Sequence, residues 1–202
     1  MDPFESPGRV LKRELGILGT LRAATGLAWR RVRENPFSSL SPDQPIDRRE
    51  RLSRKQVLPA ILLYRTLKDQ VGQARALDVT GKVIHAGAMN HLRGRLGQVD
   101  AHDYATQDEA TRKHRVVGWL DEFFTATATV DEASETRVVF TVTACALNRL
   151  VHACGHPELA PKFCSADKAF FEAQRPSIQL HRPTTLATDD EPCVFQLHMG
   201  DS

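Results

Sequence analysis

Apolar side chains recur at helical spacing up to about residue 126, and beyond it much of the chain alternates between apolar and polar positions. Ser53 is a plausible N-cap for the second helix, in which Pro59 predicts either a kink or a start one turn later. The helical period predicts helices over residues 9–34, from about Ser53 to Ala76, over 78–97 and over about 112–126.

The later part of the chain combines strands with two returns to helix. CALNRLVHACG is helical and ends on Gly155, and residues 157–174 are helical in one or two pieces. The strand-like segments are ATATV and TRVVFTV, which form a hairpin, then SIQLHRPTTLA and CVFQLHM, which the acidic turn TDDEP joins. We therefore predict an α+β fold, with N-terminal helices packed on one face of a C-terminal antiparallel sheet.

The first helix is amphipathic and basic. Residues 35–50, rich in Pro, Ser and Asp, indicate a linker, so we predict an arm with linker over residues 1–47 and one α+β domain over 48–202. A basic amphipathic helix can lie on an anionic membrane surface, but it more commonly packs its apolar stripe on the body or on a second subunit, as in a homodimer. The stripe contains Val10, Leu11, Leu15, Leu18, Leu21, Leu27 and Val32.

Overall charge and hydropathy narrow the class of protein. A net charge of +2 is too small to indicate a nucleic-acid partner. The chain has neither the long apolar run of a membrane span nor the N-terminal pattern of a secretory signal. We expect a cytoplasmic protein, in which cysteines are thiols by default.

All four cysteines follow residue 139, and Cys164 with Asp167 is the pair most suggestive of chemistry. Three residues apart in a helix, they share a face. With Ser165 as an N-cap, Cys164 would lie just outside a helix N-terminus, where the dipole favours a thiolate and Asp167 could act as a general base. The alternative is a buried, inert cysteine beside a capping aspartate.

Other candidate residues surround this pair in the sequence. Arg182 suits a carboxylate clamp, and its alternative is an ion pair with a neighbour such as Asp167. Cys193 alternates with Phe195 and Leu197 onto one strand face, which fits either the core or a pocket wall. Cys145 shares a stripe with two basic residues of the following helix, although a core position is the commoner use of such a cysteine.

A metal site would use the same atoms. Three thiols with Asp167 or a histidine could bind zinc tetrahedrally. The chain has no C-x-x-C, and cysteine gaps of 9, 10 and 29 residues match no zinc ribbon. We therefore expect no cofactor and keep a metal site as the less favoured alternative.

The tail resembles the L-2-amino-thiazoline-4-carboxylic acid hydrolase family. Its pattern is matched in order by TVTAC at 141–145, GHPEL at 155–159, CSAD at 164–167, RPTTLA at 182–187 and CVFQL at 193–197. The chain differs from that pattern in the TDDEP turn and in having Val194 after the last cysteine.

The resemblance implies a hydrolase that acts on C–N bonds of a small cyclic amidine or thioimidate, such as an aminothiazoline carboxylate. Recruitment of the same chemistry to another heterocycle of specialised metabolism is the variation that it allows. Cys164 would attack the ring carbon, or Asp167 would activate water directly. Arg182 would hold the substrate carboxylate, and Thr185, Cys145 and Cys193 would line the pocket. The alternative is a member that binds a small ligand or a metal without hydrolysis.

Overall fold

The computed structural model describes residues 4–40, 46–97, 99–123, 125–173, 178–188 and 191–200. Its helices are α1 (Pro7–Arg33), α2 (Arg48–Val71), α3 (Gln73–Leu96), α4 (Ala101–Ala105), α5 (Glu109–Glu122), α6 (Ala146–Ala153) and α7 (Ala160–Glu172). A 3₁₀ helix (Pro157–Leu159) precedes α7. The strands are β1 (Ala126–Ala133), β2 (Arg137–Cys145), β3 (Ile178–His181) and β4 (Cys193–Met199).

Two compact units make up the chain. The first comprises the chain up to Asn90 together with Leu147–Ala166. The second comprises His91–Ala146 together with the chain from Asp167 onward. The division falls within α7, so Cys164 belongs to the first unit and Asp167 to the second.

The centre of the first unit comes from α2. Val57, Ile61, Tyr64 and Leu67 have no exposed surface, and their spacing of three and four residues puts them on one helical face. Burying each aliphatic side chain contributes about 1.5–3 kcal/mol. The helix predicted for this part of the sequence is confirmed, and its apolar period corresponds to the core face of the unit.

The start of α2 differs from the prediction. Asp47 is the N-cap, and its side chain accepts a hydrogen bond from the Glu50 N–H. Ser53 is buried within the helix, where its hydroxyl donates to the Arg49 carbonyl. A start after Pro59 is also wrong, because that proline lies inside α2.

After Gly16, helix α1 packs on the rest of the first unit through small residues rather than through its leucines. Gly16, at φ +69°, interrupts the helix. Beyond it, Ala23 is buried and Gly26 lies against Thr66 of α2, so the two backbones come close. Of the two predicted partners of the apolar stripe, the body does not cover this half, because Leu18, Leu21 and Val32 are exposed. Packing on a second subunit stays a prediction.

The second unit contains the antiparallel sheet, with strand order β1-β2-β4-β3. Alternate residues of β2 and β4 are buried, and the rings of Phe140 and Phe195 stack with centroids 4.6 Å apart. Cys193 is buried with Phe195 and Leu197, as the alternation predicted. The α+β class and the antiparallel sheet are confirmed.

Two helices of the second unit pack on this sheet. Helix α5 lies against β1, and α4 touches β4. Arg112 of α5 is 7% exposed, and its guanidinium donates to the carbonyls of Ala133, Ala105 and Gln107. Through these bonds the arginine links α5 to the end of β1 and to the segment that precedes α5.

Strand β3 is shorter than predicted. It ends at His181, and residues 182–185 have no regular structure. Pro183 has no N–H to donate to a strand ladder, which explains why pairing stops there. Arg182 and Thr185 are therefore loop residues. In the acidic turn, Asp189 and Asp190 lie outside the described residues.

Candidate functional site

Several predicted site residues lie at one end of the sheet. Val142 of β2 is the register partner of Cys193, which begins β4. His181 of β3 pairs with Gln196, so the chain leaves the sheet at Arg182 near the same end. Cys145, the last residue of β2, pairs with Ala126, the first residue of β1. Antiparallel pairing therefore brings Cys145, Arg182 and Cys193 to the same end of the sheet.

Asp167 joins this end through an ion pair with Arg182. The Arg182 Nη1 donates to the Asp167 Oδ2 at 3.0 Å. The arginine side chain is only 10% exposed, and its guanidinium carbon lies 5.1 Å from the centroid of the Phe195 ring. Both the charge and the aromatic face hold the guanidinium in place. The ion pair that was one of the two interpretations of Arg182 is present.

The pair changes the acidity of Asp167. Although 27% of the side chain is exposed, burial raises the pKa of Asp167 from 3.8 to about 6. The charge and hydrogen bond of Arg182 act in the opposite direction and lower the pKa, so burial outweighs them. A carboxyl group with such a pKa gains and loses a proton close to neutral pH.

The loop after β3 is held by short polar contacts. The Leu186 N–H donates to the Cys193 Sγ at 3.2 Å. Thr185 Oγ1 lies 2.8 Å from Thr188 Oγ1, and Thr184 donates to the Pro192 carbonyl at 2.6 Å. The thiol of Cys193 thus anchors the loop that carries Arg182 and Thr185.

Cys164 lies inside a helix rather than before one. Helix α7 already begins at Ala160, and the hydroxyl of Ser165 donates to the Lys162 carbonyl instead of capping a helix. The prediction that a helix N-terminus activates Cys164 is therefore wrong. The thiol is half-buried one helical turn before Asp167, on the same helix face.

A second cluster, in the first unit, was not predicted. Arg65 of α2 donates from Nε to the His156 Nε2 at 2.9 Å, and its other nitrogens donate to Glu34 at 3.2 Å and to the Cys154 carbonyl at 3.3 Å. His156 Nδ1 is 3.6 Å from Glu158. Both His156 and Glu158 belong to the GHPEL segment. Its match to the family pattern was the sequence signal that could have pointed to this cluster.

The electrostatics of this cluster keep its histidine neutral. Burial lowers the pKa of His156, and the Arg65 charge lowers it further. The pKa of Glu158 is also lowered; burial opposes this but is outweighed by its own backbone N–H and by the neighbouring Tyr64 and His156. Burial raises the pKa of Tyr64 to about 12. Since His156 Nε2 already accepts from Arg65, the cluster suits a structural role.

Two clefts have linings that include neither Asp167 nor Arg182. One in the second unit, about 350 Å³, is lined by α5 and by Val130–Ser134, at the opposite end of β1 from Ala126. One in the first unit, about 510 Å³, is lined by charged side chains of α1 and α3, among them Glu14 and Lys82. Those two side chains pair with each other at 3.0 Å, so much of the charge in that cleft is already satisfied.

The cysteines show no arrangement typical of a metal site. All four lie in described parts of the chain, and they are thiols rather than disulfides. Among the residues that the structure describes, no three His, Cys, Asp or Glu side chains are grouped as metal ligands. Binding of a cofactor or metal stays a matter of prediction.

Comparison with known families decides the relationship. A model of the family described as L-2-amino-thiazoline-4-carboxylic acid hydrolase matches residues 50–197. The chain belongs to this family. The match extends well upstream of the segments recognised in the sequence and takes in α2, including Arg65. No curated protein and no solved structure matches the chain. The family name supports a hydrolase-like role for this member.

Proposed function

We propose that this family member opens a small cyclic amidine or thioimidate by hydrolysis, with an aminothiazoline carboxylate as the reference substrate. The observation that carries the proposal is the Asp167–Arg182 pair, a carboxyl group with a pKa raised to about 6 beside a nearly buried guanidinium. A general base or acid works best when its pKa is near the working pH.

Asp167 handles the protons of the reaction. Water adds to the electrophilic carbon between the two ring heteroatoms while the Asp167 carboxylate takes one of its protons. That proton passes to the ring nitrogen, which gives a tetrahedral intermediate with a hydroxyl group on the carbon. Asp167 then carries the hydroxyl proton to the same nitrogen as the carbonyl forms and the carbon–nitrogen bond breaks. One water is consumed, the ring opens and Asp167 returns to its ionised form.

Arg182 has two functions in this scheme. Its charge keeps Asp167 largely ionised at neutral pH, and its planar guanidinium also holds the substrate carboxylate. The pocket around the substrate is lined by Thr185, Cys193 and Cys145. Cys193 fixes the loop that carries Thr185, and Cys145 ends the strand beside β4. Such a site selects small rings that carry a carboxylate.

Direct attack by water is better supported than a covalent route through Cys164. The covalent route needs a thiolate, and Cys164 lacks the helix N-terminus that was expected to favour one. In that route Cys164 Sγ adds to the ring carbon, the ring opens, and water then releases the product.

Separate substitution of the two residues tests the proposal. With an aminothiazoline carboxylate as substrate, we expect Asp167→Asn to lower kcat by about 10²–10⁴-fold, because the general base is lost. Cys164→Ser should stay within a few-fold of wild type, like the neighbouring control Ser165→Ala. Product formation measures turnover, and calorimetric titration measures binding of the same compound.

Each departure from this result has a distinct meaning. Loss of turnover in Cys164→Ser with retention in Asp167→Asn would establish the covalent route instead. Binding without turnover by wild type would favour the non-hydrolytic alternative for this compound. In that case other cyclic amidines with a carboxylate, of the kind found in specialised metabolism, are the next substrates to assay.

A further inference from the structure

The outer face of α1 exposes an unusual amount of apolar surface. Among the described residues, five of the seven most exposed large apolar side chains lie on this helix. They are Ile17 (63% exposed), Leu18 (77%), Leu21 (59%), Trp29 (59%) and Val32 (88%). Exposed apolar groups scattered singly are ordinary, but a contiguous set marks an interaction surface.

These five side chains form one stripe, here called the outer stripe of α1. Leu21 follows Ile17 by four residues and Leu18 by three, and Val32 follows Trp29 by three. Eleven residues, about three helical turns, separate Leu18 from Trp29 and Leu21 from Val32. Ala23 and Gly26, which face the first unit, lie on the opposite side of the helix.

The charges beside the stripe are all positive. Residues 15–33 contain four arginines and no aspartate or glutamate. Arg30 turns inward to Glu34 and Asp69. The exposed Arg22 and Arg33 fall on one border of the stripe and Arg31 on the other, at 100° per residue. The Arg33 guanidinium carbon also lies 3.7 Å from the centroid of the Trp29 ring.

We propose that the outer stripe of α1 binds the surface of an anionic phospholipid membrane. Aliphatic side chains flanked by arginines, with a tryptophan among them, match the layer between acyl chains and acidic headgroups. A second copy of the chain fits less well, because it would bring the same arginines together without a facing acid. In the described parts of the chain no helix is long and apolar enough to cross a membrane, so α1 lies along the surface.

Vesicle co-sedimentation of the full chain tests the proposal. Phosphatidylcholine vesicles that contain phosphatidylserine should bind the protein, and vesicles of phosphatidylcholine alone should bind it much less. Leu18→Glu/Leu21→Glu should weaken binding about tenfold or more. Arg22→Gln/Arg31→Gln/Arg33→Gln should weaken it on the order of 100-fold, about fivefold for each arginine.

Matched controls lie elsewhere on the surface. Val117→Glu makes the same apolar-to-acidic change at an exposed side chain of α5, and Arg48→Gln/Lys55→Gln/Lys113→Gln removes three other exposed cations. Both should bind vesicles nearly as wild type does. In a Trp119→Phe background, Trp29 becomes the single tryptophan, and its emission should shift to the blue on vesicles.

Three results would overturn the proposal. They are equal binding to neutral and anionic vesicles, unchanged binding by the Leu18/Leu21 variant, and a lipid-free wild-type dimer that this variant dissociates. The last would assign the stripe to a second copy. Circular dichroism checks that each variant is folded. We expect this because the substituted side chains other than Trp119 are exposed, and Trp119→Phe keeps an aromatic ring beside Tyr104.

Discussion

The two units each contain a partly buried arginine, but the two arginines have different surroundings. Arg65 in the first unit donates to three acceptors, which are His156, Glu34 and the Cys154 carbonyl. Arg182 in the second unit donates to the carboxylate of Asp167 and lies against the ring of Phe195. The first arginine joins several segments of its unit, whereas the second lies beside an acid whose pKa it lowers against the effect of burial.

The acidity of the neighbouring groups follows this difference. Around Arg65, the pKa values of His156 and Glu158 are both lowered, so each keeps one charge state at neutral pH. Beside Arg182, burial raises the pKa of Asp167 to about 6, so this group can exchange a proton. A polar cluster supports structure when its charge states are fixed, and it supports catalysis when one of them is poised.

Among the changes that test this comparison of the two arginines, removing the cation beside Asp167 should have the largest effect. Arg182→Met should lower kcat/KM at neutral pH about 100-fold, through a less ionised Asp167 and a lost carboxylate clamp. The acid limb of the pH profile of kcat/KM should move upward by about 1–3 pH units, because losing an adjacent arginine raises a carboxyl pKa by about that much. Turnover of the substrate across a pH series measures both.

Two controls separate this from a structural effect. Arg182→Lys keeps the charge and should move the acid limb less. Arg137→Met removes a half-buried arginine of the same sheet, one that contacts Gln196 and Glu132, and should leave the limb in place. An Arg182→Met profile with an unmoved acid limb would contradict the role assigned to the pair.

Asp167 and Glu158 should give opposite pH dependences of stability. The folded chain holds the proton of Asp167 up to about pH 6, and the ordinary pKa is 3.8. The contribution of Asp167 to the free energy of unfolding therefore falls as pH rises between those values, by roughly 3 kcal/mol at most. Glu158, whose pKa is lowered, contributes stability above its ordinary pKa of 4.5 that is lost as pH falls.

Urea unfolding at about pH 4 and about pH 7 measures the contrast. The free energy of unfolding of wild type relative to Asp167→Asn should decrease from the lower pH to the higher. Relative to Glu158→Gln it should increase. If the free energy of unfolding of wild type relative to the variant changed in the same direction for both variants, the two carboxylates would not have opposite pH dependences.

Much of the fold was predictable because it depends on local periodicity. The two-residue period of Val138, Phe140 and Val142, and of Cys193, Phe195 and Leu197, reports which strand face is buried. Element ends were less predictable, because several residues can serve as caps. Asp47 and Ser53 are both suitable N-caps, and only the packing that buries Ser53 decides between them.

The candidate site was predictable only in part. Asp167 and Arg182 lie 15 residues apart, and their pairing was one of two stated interpretations. Cys164 was expected just outside a helix because Ser165 is a suitable N-cap, but Pro161 lies in the first turn of α7 and the helix begins at Ala160. The bond between Arg65 and His156 joins residues 91 apart, and no local pattern reports a contact of that kind.

The smallest expected effects come from replacing one glycine in each unit. Gly26 of the first unit is packed against α2, whereas Gly118 of the second unit has open space around it. In Gly26→Ala the new Cβ would lie 2.5 Å from Thr66 Cγ2 and 3.3 Å from Gln70 Nε2. Thr66 is 3% exposed, and its hydroxyl donates to the Leu62 carbonyl, so it cannot easily turn away. We expect overpacking to outweigh the gain in helix propensity and to destabilise the chain by about 1 kcal/mol.

Gly118→Ala in α5 is the matched control, since a Cβ there meets nothing within 4 Å. It should stabilise the chain by up to about 1 kcal/mol, through helix propensity alone. Thr66→Ser removes the methyl group but keeps the hydroxyl, so adding it to Gly26→Ala should recover part of the loss. Urea unfolding measures all three variants. If Gly26→Ala stabilised the chain as much as Gly118→Ala, α1 and α2 would not be in close contact at Gly26. The outer stripe of α1 would then not be turned away from α2 as described.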